Sequence, residues 1–175
     1  AMYGKKTLLM GFDLRKPKIY QDFGLSNTEG ITSYLINKSS MNDIIQKSSV
    51  ENLDIIMAGP VPPNPAELIA SSKTDDMMNQ LKEIYDYIII DTPPFALVTD
   101  AIIISKYSDV NIFVIRQNYS HKDVLEVINN LREKKIRNMA LVVNDIRESK
   151  TMGYRYYYGY GYGYGYGDRY GGKYY

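Results

Sequence analysis

The chain has 175 residues, with 21 lysines and arginines against 20 aspartates and glutamates, and it contains no cysteine. This length predicts one compact domain, since domains usually span about 100–200 residues. The near-neutral charge excludes the basic surface typical of a nucleic-acid-binding domain, so no nucleic acid partner is expected. The lack of cysteine excludes disulfide scaffolds and thiolate metal sites. The sequence shows no membrane-spanning run and no secretory segment, which predicts a cytoplasmic protein.

The composition changes abruptly after residue 150. The last 25 residues hold 11 of the 18 tyrosines and 8 of the 13 glycines, and they carry a net charge of +2. This segment has no leucine, isoleucine or valine, so it cannot build a core, and its glycines lose much conformational entropy when ordered. We therefore expect an ordered domain over residues 1–150 and a disordered tyrosine- and glycine-rich tail over residues 151–175.

Short runs of consecutive apolar residues recur within the first 150 residues. Such runs are typical of strands that are buried on both faces of a parallel sheet. They predict strands at residues 7–10, 53–57, 87–90, 111–115 and 139–143.

Helical patterns lie between and beside these runs. They predict helices at residues 31–35, 40–45, 65–69, 75–84, 100–104 and 121–134. Because strands and helices alternate, we predict an α/β fold with a doubly wound, mostly parallel sheet.

Two aspartates follow predicted strands. In a doubly wound sheet ligands bind beyond the carboxyl ends of the strands, where Asp13 and Asp91 are expected. An apolar strand that ends in aspartate, as at Asp91, is the form of a Walker B element, whose carboxylate holds the magnesium ion of a nucleotide. The alternative is an aspartate that caps a turn, with Pro93 and Pro94 ending the strand.

Several segments together resemble the bacterial tyrosine kinases that accompany capsule and exopolysaccharide export. The segment LLMGFDLRKP at residues 8–17 is similar to their second phosphate-region motif, called Walker A′, and DTPP at residues 91–94 is similar to their Walker B. The segment PVPPNPAELI at residues 60–69 resembles their proline-rich segment, and the tail resembles their autophosphorylated tyrosine cluster.

This resemblance implies a P-loop ATPase fold that transfers the γ-phosphoryl group of ATP to tyrosine with Mg²⁺. By position, Asp13 and Asp91 are the metal-binding and catalytic aspartates, and an aspartate helps to remove the proton of a phenol whose pKa is about 10. Asn144 matches an asparagine that contacts adenine, with structural capping as an equal alternative. Arg15 is a candidate phosphate contact or, equally, an arginine paired with a nearby carboxylate.

The resemblance also implies partners and a location. These are a ring-shaped homo-oligomer in which the tail of one subunit enters the active site of its neighbour, a transmembrane polysaccharide co-polymerase segment upstream or in a partner chain, and a cognate tyrosine phosphatase. The chain would then lie in the cytoplasm at the inner face of the bacterial cell membrane. The candidate phosphoacceptors are Tyr154, Tyr156, Tyr157, Tyr158, Tyr160, Tyr162, Tyr164, Tyr166, Tyr170, Tyr174 and Tyr175.

Two features depart from the family pattern. The sequence contains no GxxxxGK followed by Ser or Thr, so the loop that cradles the β-phosphate is missing, together with its lysine. We expect YGKKT at residues 3–7 to be a turn, the family's first strand and P-loop to be absent from the chain, and the chain alone to be inactive. In addition, Gly11 stands where Walker A′ usually has the first aspartate of Asp-x-Asp, either as a natural variant or as an engineered or attenuated site.

Two other functions remain open from the sequence. The alternating Gly-Tyr segment at residues 159–167 also resembles adhesive low-complexity proteins, in which tyrosines stack between chains. A partition-type or septum-site P-loop ATPase shares the strand that ends in aspartate, but typically ends in an amphipathic membrane helix. The tyrosine-rich tail favours the kinase.

Overall fold

The computed structural model describes residues 1–94, 100–117, 119–120, 126, 128–129, 131, 136 and 138–146. Helices and strands alternate along this part of the chain, which confirms the predicted α/β class. The strands are β1 (Thr7–Gly11), β2 (Ile45–Lys47), β3 (Leu53–Ile56), β4 (Tyr87–Asp91), β5 (Asn111–Arg116) and β6 (Met139–Asn144). The helices are α1 (Ile19–Phe23), α2 (Ile31–Leu35), α3 (Met41–Ile44), α4 (Pro65–Ile69), α5 (Ser72–Ile84) and α6 (Asp100–Ser105).

The described strands form two sheets. The larger has the order β2-β3-β1-β4, and β5 pairs with β6 in the smaller. β1 is parallel to both β3 and β4, β5 is parallel to β6, and β2 runs antiparallel to β3. The carboxyl ends of β1, β3 and β4 therefore lie at one edge, where a ligand site is expected.

The core is built on β1 and the helices that pack against it. Leu8 and Met10 are fully buried on β1, and Ile56 is fully buried on β3. α5 buries Met77 and Leu81 on one face, at the spacing of one helical turn. Each buried side chain of this size stabilises the fold by about 1.5–3 kcal/mol, so this layer holds the strand ends in place.

A close contact fixes the loop after β3 against the start of α2. The Ile31 N–H donates to the Met57 carbonyl at 2.8 Å. A Cβ atom on Gly30 would lie only 2.2 Å from that same carbonyl oxygen. Since backbone cannot rotate away as a side chain can, glycine is required at residue 30.

The helices between β1 and β3 differ from the prediction in two ways. The predicted helix at residues 40–45 ends one residue early, and Ile45 has an extended backbone because it pairs with Ile56 of β3. α1 was not predicted at all. It buries none of its residues, so it lacks the apolar stripe on which a helix prediction depends.

β4 and β5 differ from the prediction that both faces of each strand are buried. In β4, Ile88 and Ile90 pack against the core, whereas Ile89 is 54% exposed. In β5, Ile112 and Val114 are exposed in the same alternating manner. Successive side chains of a strand point to opposite faces, so one face of β4 and of β5 is more exposed than the other. In β6 the prediction is wrong for both faces, because its residues after Met139 are all exposed.

No helix in the described ranges is long and apolar enough to cross a membrane. The predicted helix at residues 121–134 lies largely outside the described residues, and the tail with its candidate phosphoacceptors lies wholly outside them. The disorder of the tail therefore remains a prediction.

Candidate functional site

Asp13 and Asp91 are brought together at the carboxyl ends of β1 and β4. The strand register pairs Gly11 with Asp91, and the Phe12 N–H donates to the Asp91 carbonyl at 2.7 Å. Phe12 and Leu14 are buried, and Asp13 between them is half-buried. The packing of its two neighbours thus holds Asp13 beside the end of β4.

A turn fixes the Asp13 side chain. Its Oδ1 atom accepts hydrogen bonds from the backbone N–H groups of Arg15 at 3.1 Å and Lys16 at 2.9 Å. Aspartate commonly forms such bonds to the backbone just after it, because its side chain is short. The second carboxylate oxygen accepts no hydrogen bond from the described part of the chain, which leaves it for a ligand.

The environment of Asp91 disfavours its negative charge. Burial of the carboxyl group raises its pKa above the usual range, and the charge of Asp13 raises it further. The residue as a whole is still exposed at the sheet edge. Two like charges that are close together and open to solvent attract a cation, because a cation relieves their repulsion.

A small cleft lies beside the two carboxylates. The loop after β3 forms one wall, and Asn27 holds this loop by donating to the Gly59 carbonyl at 3.0 Å and accepting from the Gly59 N–H at 2.9 Å. Lys18 and Tyr20 also line the cleft. These three lining residues could not be predicted from the sequence, because they lie on α1 or near it and the apolar pattern gives no signal for that helix.

Gly11 lines the same cleft and is not required by packing. A Cβ atom at this position would lie 3.6 Å from the Ala58 backbone nitrogen and 3.7 Å from Ile19 Cδ1, both ordinary contacts. The backbone there can therefore hold a residue with a side chain. The packing around residue 11 therefore does not explain why a carboxylate is missing there.

Arg15 pairs with a carboxylate that the sequence analysis did not single out. Its Nε and Nη2 atoms donate to the two carboxylate oxygens of Asp100 at 2.7 Å and 3.0 Å. Asp100 begins α6 and is fully buried, whereas the Arg15 side chain is 40% exposed. The hydrogen bonds to Asp100 raise the pKa of Arg15. The structure thus shows the carboxylate pair, and the phosphate contact of Arg15 stays a prediction.

Asn144 lies in the smaller sheet, at the end of β6 and opposite Arg116. Its Oδ1 atom accepts the backbone N–H of Asp145 at 2.8 Å, and Asp145 has a positive φ of 54°. Asn144 thus bonds to the backbone of the residue after it, and its predicted capping role stays a prediction. It is not among the described residues that line the cleft beside Asp13 and Asp91, and the adenine contact stays a prediction.

A turn precedes β1, but it spans residues 1–4, a few positions before the predicted residues 3–7. The Gly4 N–H donates to the Ala1 carbonyl at 2.9 Å, and Gly4 has a φ of +71°, which glycine adopts without strain. β1 begins at Thr7, three residues later.

Comparison with known proteins links this geometry to a protein family. A family model described as an AAA domain matches residues 1–143. The tyrosine-protein kinase YwqD of Bacillus subtilis is 38% identical over 158 residues, which cover 90% of this chain and 67% of YwqD.

Solved structures give the same result. The kinase domain of the Escherichia coli tyrosine kinase ETK has a TM-score of 0.80 at 28% identity, covering 91% of this chain and 63% of that one. The chimerical protein CapA2B2 has a TM-score of 0.79 at 36% identity, covering 84% and 66%. The septum site-determining protein MinD of Pyrococcus horikoshii, solved with Mg-ADP, has a TM-score of 0.68 at 20% identity, covering 85% and 61%, and shares the fold alone.

Proposed function

This chain belongs to the bacterial tyrosine-protein kinases and carries their AAA domain, and from that premise we propose that Asp13 and Asp91 bind the magnesium ion for phosphoryl transfer to tyrosine. The chain spans only 63% of the ETK kinase domain and 67% of YwqD, so the activity of the whole kinase is part of the proposal. One observation carries it: two carboxylates lie at the ends of adjacent parallel strands, the edge at which such sheets bind ligands.

The donor set fits a magnesium ion that is bound together with a nucleotide. Magnesium usually takes one or two protein carboxylates and completes its shell with water and phosphate oxygens. Asp13 and Asp91 supply two carboxylates, and the described residues contain no cluster of three or more potential ligands. The fold implies nucleotide and magnesium binding in general. We propose Mg-ATP in particular, at Asp13 and Asp91.

The residues of the chain bind and orient the reactants. When bound, Mg-ATP supplies a γ-phosphoryl group whose negative charge is largely neutralised. Asp13, fixed by the turn at Arg15 and Lys16, presents one carboxylate oxygen in a set direction. A carboxylate at this edge also accepts the proton of the incoming tyrosine hydroxyl, which is needed because a phenol with a pKa of about 10 is a weak nucleophile at neutral pH.

The acceptors in this proposal are the 11 tyrosines of the tail. With a net charge of +2, the tail is attracted to the carboxylates of Asp13 and Asp91 before it is modified. The family resemblance supports a ring-shaped homo-oligomer in which each tail reaches the active site of a neighbouring subunit.

We further propose that the chain works in polysaccharide export. In this proposal it acts in the cytoplasm at the inner face of the membrane, held there by a transmembrane co-polymerase segment upstream or in a partner chain. A cognate tyrosine phosphatase returns the tails to their starting state. The support for both partners is the resemblance to kinases of capsule and exopolysaccharide export.

Incubation of the complete gene product with Mg-ATP tests the proposed function. We expect phosphotyrosine in peptides from residues 151–175, detected with an antibody and located by mass spectrometry. Release of inorganic phosphate without phosphotyrosine would instead indicate a partition-type ATPase. The absence of both phosphotyrosine and released phosphate would indicate a non-enzymatic interaction protein.

A further inference from the structure

Arg15 places a positive charge near Asp13, one of the two carboxylates of the candidate site. It lies two residues after Asp13, and its own backbone N–H is one of the donors that fix the Asp13 side chain. The charge of Asp13 contributes to the raised pKa of Arg15, so the two charged groups interact. Lys18 lines the cleft itself, and Arg15 is a second cation close enough to Asp13 to oppose a metal ion bound there.

An arginine in this position can compete with a divalent cation. Its planar guanidinium binds a carboxylate through two parallel hydrogen bonds, and the same oxygens would otherwise bind the metal. Asp13 has a carboxylate oxygen that accepts no hydrogen bond from the described residues, so it would be a suitable partner for an unpaired arginine.

In the structure the guanidinium of Arg15 binds Asp100 and not Asp13. Asp100 uses both carboxylate oxygens and binds Nε and Nη2 of Arg15 at 2.7 Å and 3.0 Å. Asp100 is fully buried, and Arg15 is its charge partner within the described part of the chain. Leaving a buried carboxylate without its partner is costly, so Arg15 is held to Asp100 in preference to the more exposed Asp13 and Asp91.

We propose that Asp100 is a positioning residue that keeps Arg15 away from Asp13 and so leaves the pair Asp13 and Asp91 free for a divalent cation. The inference rests on the proposed metal role of Asp13 and Asp91. It gives α6 a part in the site although no residue of α6 lines the described cleft.

Binding of Mn²⁺ to the full 175-residue chain tests this inference without any need for kinase activity. The free ion is measured by electron paramagnetic resonance during a titration. In Asp100→Asn, Arg15 is released next to Asp13, and we expect the dissociation constant to rise by about fivefold or more, the effect of one nearby charge in water. In the double variant Asp100→Asn/Arg15→Gln the released charge is gone, and we expect a return to within about twofold of the wild type, since a neutral side chain cannot oppose the cation.

A matched control removes a different paired carboxylate. Asp75 on α5 accepts hydrogen bonds from Lys106 at 3.0 Å and from the Tyr107 hydroxyl at 2.7 Å, and it is not among the described residues that line the cleft. Asp75→Asn changes the net charge as Asp100→Asn does, so unchanged Mn²⁺ binding in Asp75→Asn excludes an effect of net charge. Circular dichroism of each variant shows whether it is folded.

The outcomes separate this inference from the proposed function. If Asp91→Asn does not weaken Mn²⁺ binding, the proposed metal role itself fails. If Asp91→Asn weakens binding but Asp100→Asn does not, the metal role stands and the inference about Asp100 is overturned. A double variant that binds as weakly as Asp100→Asn would also overturn it, because Asp100 would then act through the fold and not by holding the charge of Arg15.

Discussion

Asp13 and Asp91 carry the same functional group but are held in different ways. Asp13 is fixed by two backbone N–H groups of its own turn. Asp91 is held by its strand, and its pKa is raised by burial and by the charge of Asp13. The first carboxylate therefore gives the site its geometry, and the second makes the site sensitive to charge and pH.

The raised pKa of Asp91 predicts a pH-dependent stability. The folded carboxyl group keeps its proton at a higher pH than the unfolded one, so ionised Asp91 destabilises the fold above its raised pKa. This destabilisation disappears as the pH falls below the ordinary aspartate value of 3.8. We expect Asp91→Asn to be slightly more stable than the wild type to urea at neutral pH, with the difference vanishing in acid.

Asp75→Asn is the control with the opposite sign. Hydrogen bonds from Tyr107 and Lys106 lower the pKa of Asp75, so its ionised form stabilises the fold above the ordinary aspartate value, and this stabilisation is lost as the pH falls through the lowered pKa. Asp75→Asn should therefore be less stable than the wild type at neutral pH. If Asp91→Asn also loses stability at neutral pH, the electrostatic account of Asp91 is wrong.

Individual residues differ in how far the sequence reveals them. Asp13 and Asp91 could be predicted because each follows an apolar strand, and strand ends are where parallel sheets bind ligands. The pairing of Asp100 could not be predicted, because its partner Arg15 is 85 positions away in the chain. A sequence pattern at the start of α6 shows an acidic first residue and nothing about its partner.

At the scale of elements, a helix or strand could be predicted where its sequence has a clear apolar pattern. The parallel strands and α2, α4, α5 and α6 were predicted from their apolar residues, with boundaries off by at most a few positions. α1 and β2 were not, because α1 buries no residue and β2 has three residues, none fully buried. Both missed elements lie between β1 and β3 in the chain.

The contact between α2 and the loop after β3 gives a prediction about one glycine. Gly30→Ala places a Cβ atom 2.2 Å from the Met57 carbonyl oxygen, so the loop must shift. We expect this variant to lose about 1–3 kcal/mol in free energy of unfolding, the usual cost of overpacking. Urea unfolding followed by circular dichroism measures it.

Gly11→Ala is the matched control for this prediction. Its added Cβ atom has its closest contact at 3.6 Å, so the loss of stability should be within about 0.5 kcal/mol. Equal losses of free energy of unfolding in the two variants would show that the close approach at Gly30 does not cause the loss in Gly30→Ala.

At the scale of the whole molecule, the charges of the two parts are complementary. The tail carries +2, and residues 1–150 carry −1 with Asp13 and Asp91 at the candidate site. An unmodified tail is thus attracted to the site. Phosphorylation reverses this relation, because each phosphate adds about −1.5 to −2 charges at neutral pH.

The number of phosphates should therefore matter more than their positions. Filling half of the tail tyrosines would change the tail from +2 to roughly −6 to −10, which repels it from the carboxylates and from other tails. In this account, repulsion between phosphorylated tails disperses the ring-shaped homo-oligomer. We expect single Tyr→Phe changes in the tail to be nearly silent, and removal of most tyrosines to block this dispersal. Light scattering on a graded Tyr→Phe series of the complete protein measures this, and control of assembly by a single tyrosine would refute charge counting.

Transfer of the γ-phosphate of Mg-ATP to the tail of the complete protein tests the central claim most directly, with Asp91→Asn compared with the wild type. The substitution keeps the shape of the side chain and removes the charge that we propose holds the metal. We predict a loss of tail phosphotyrosine on the order of a hundredfold, the typical effect of removing one preorganised electrostatic group, while Asp75→Asn stays near the wild type. Tail phosphorylation by Asp91→Asn at the wild-type rate would contradict the assignment of the site to the ends of β1 and β4.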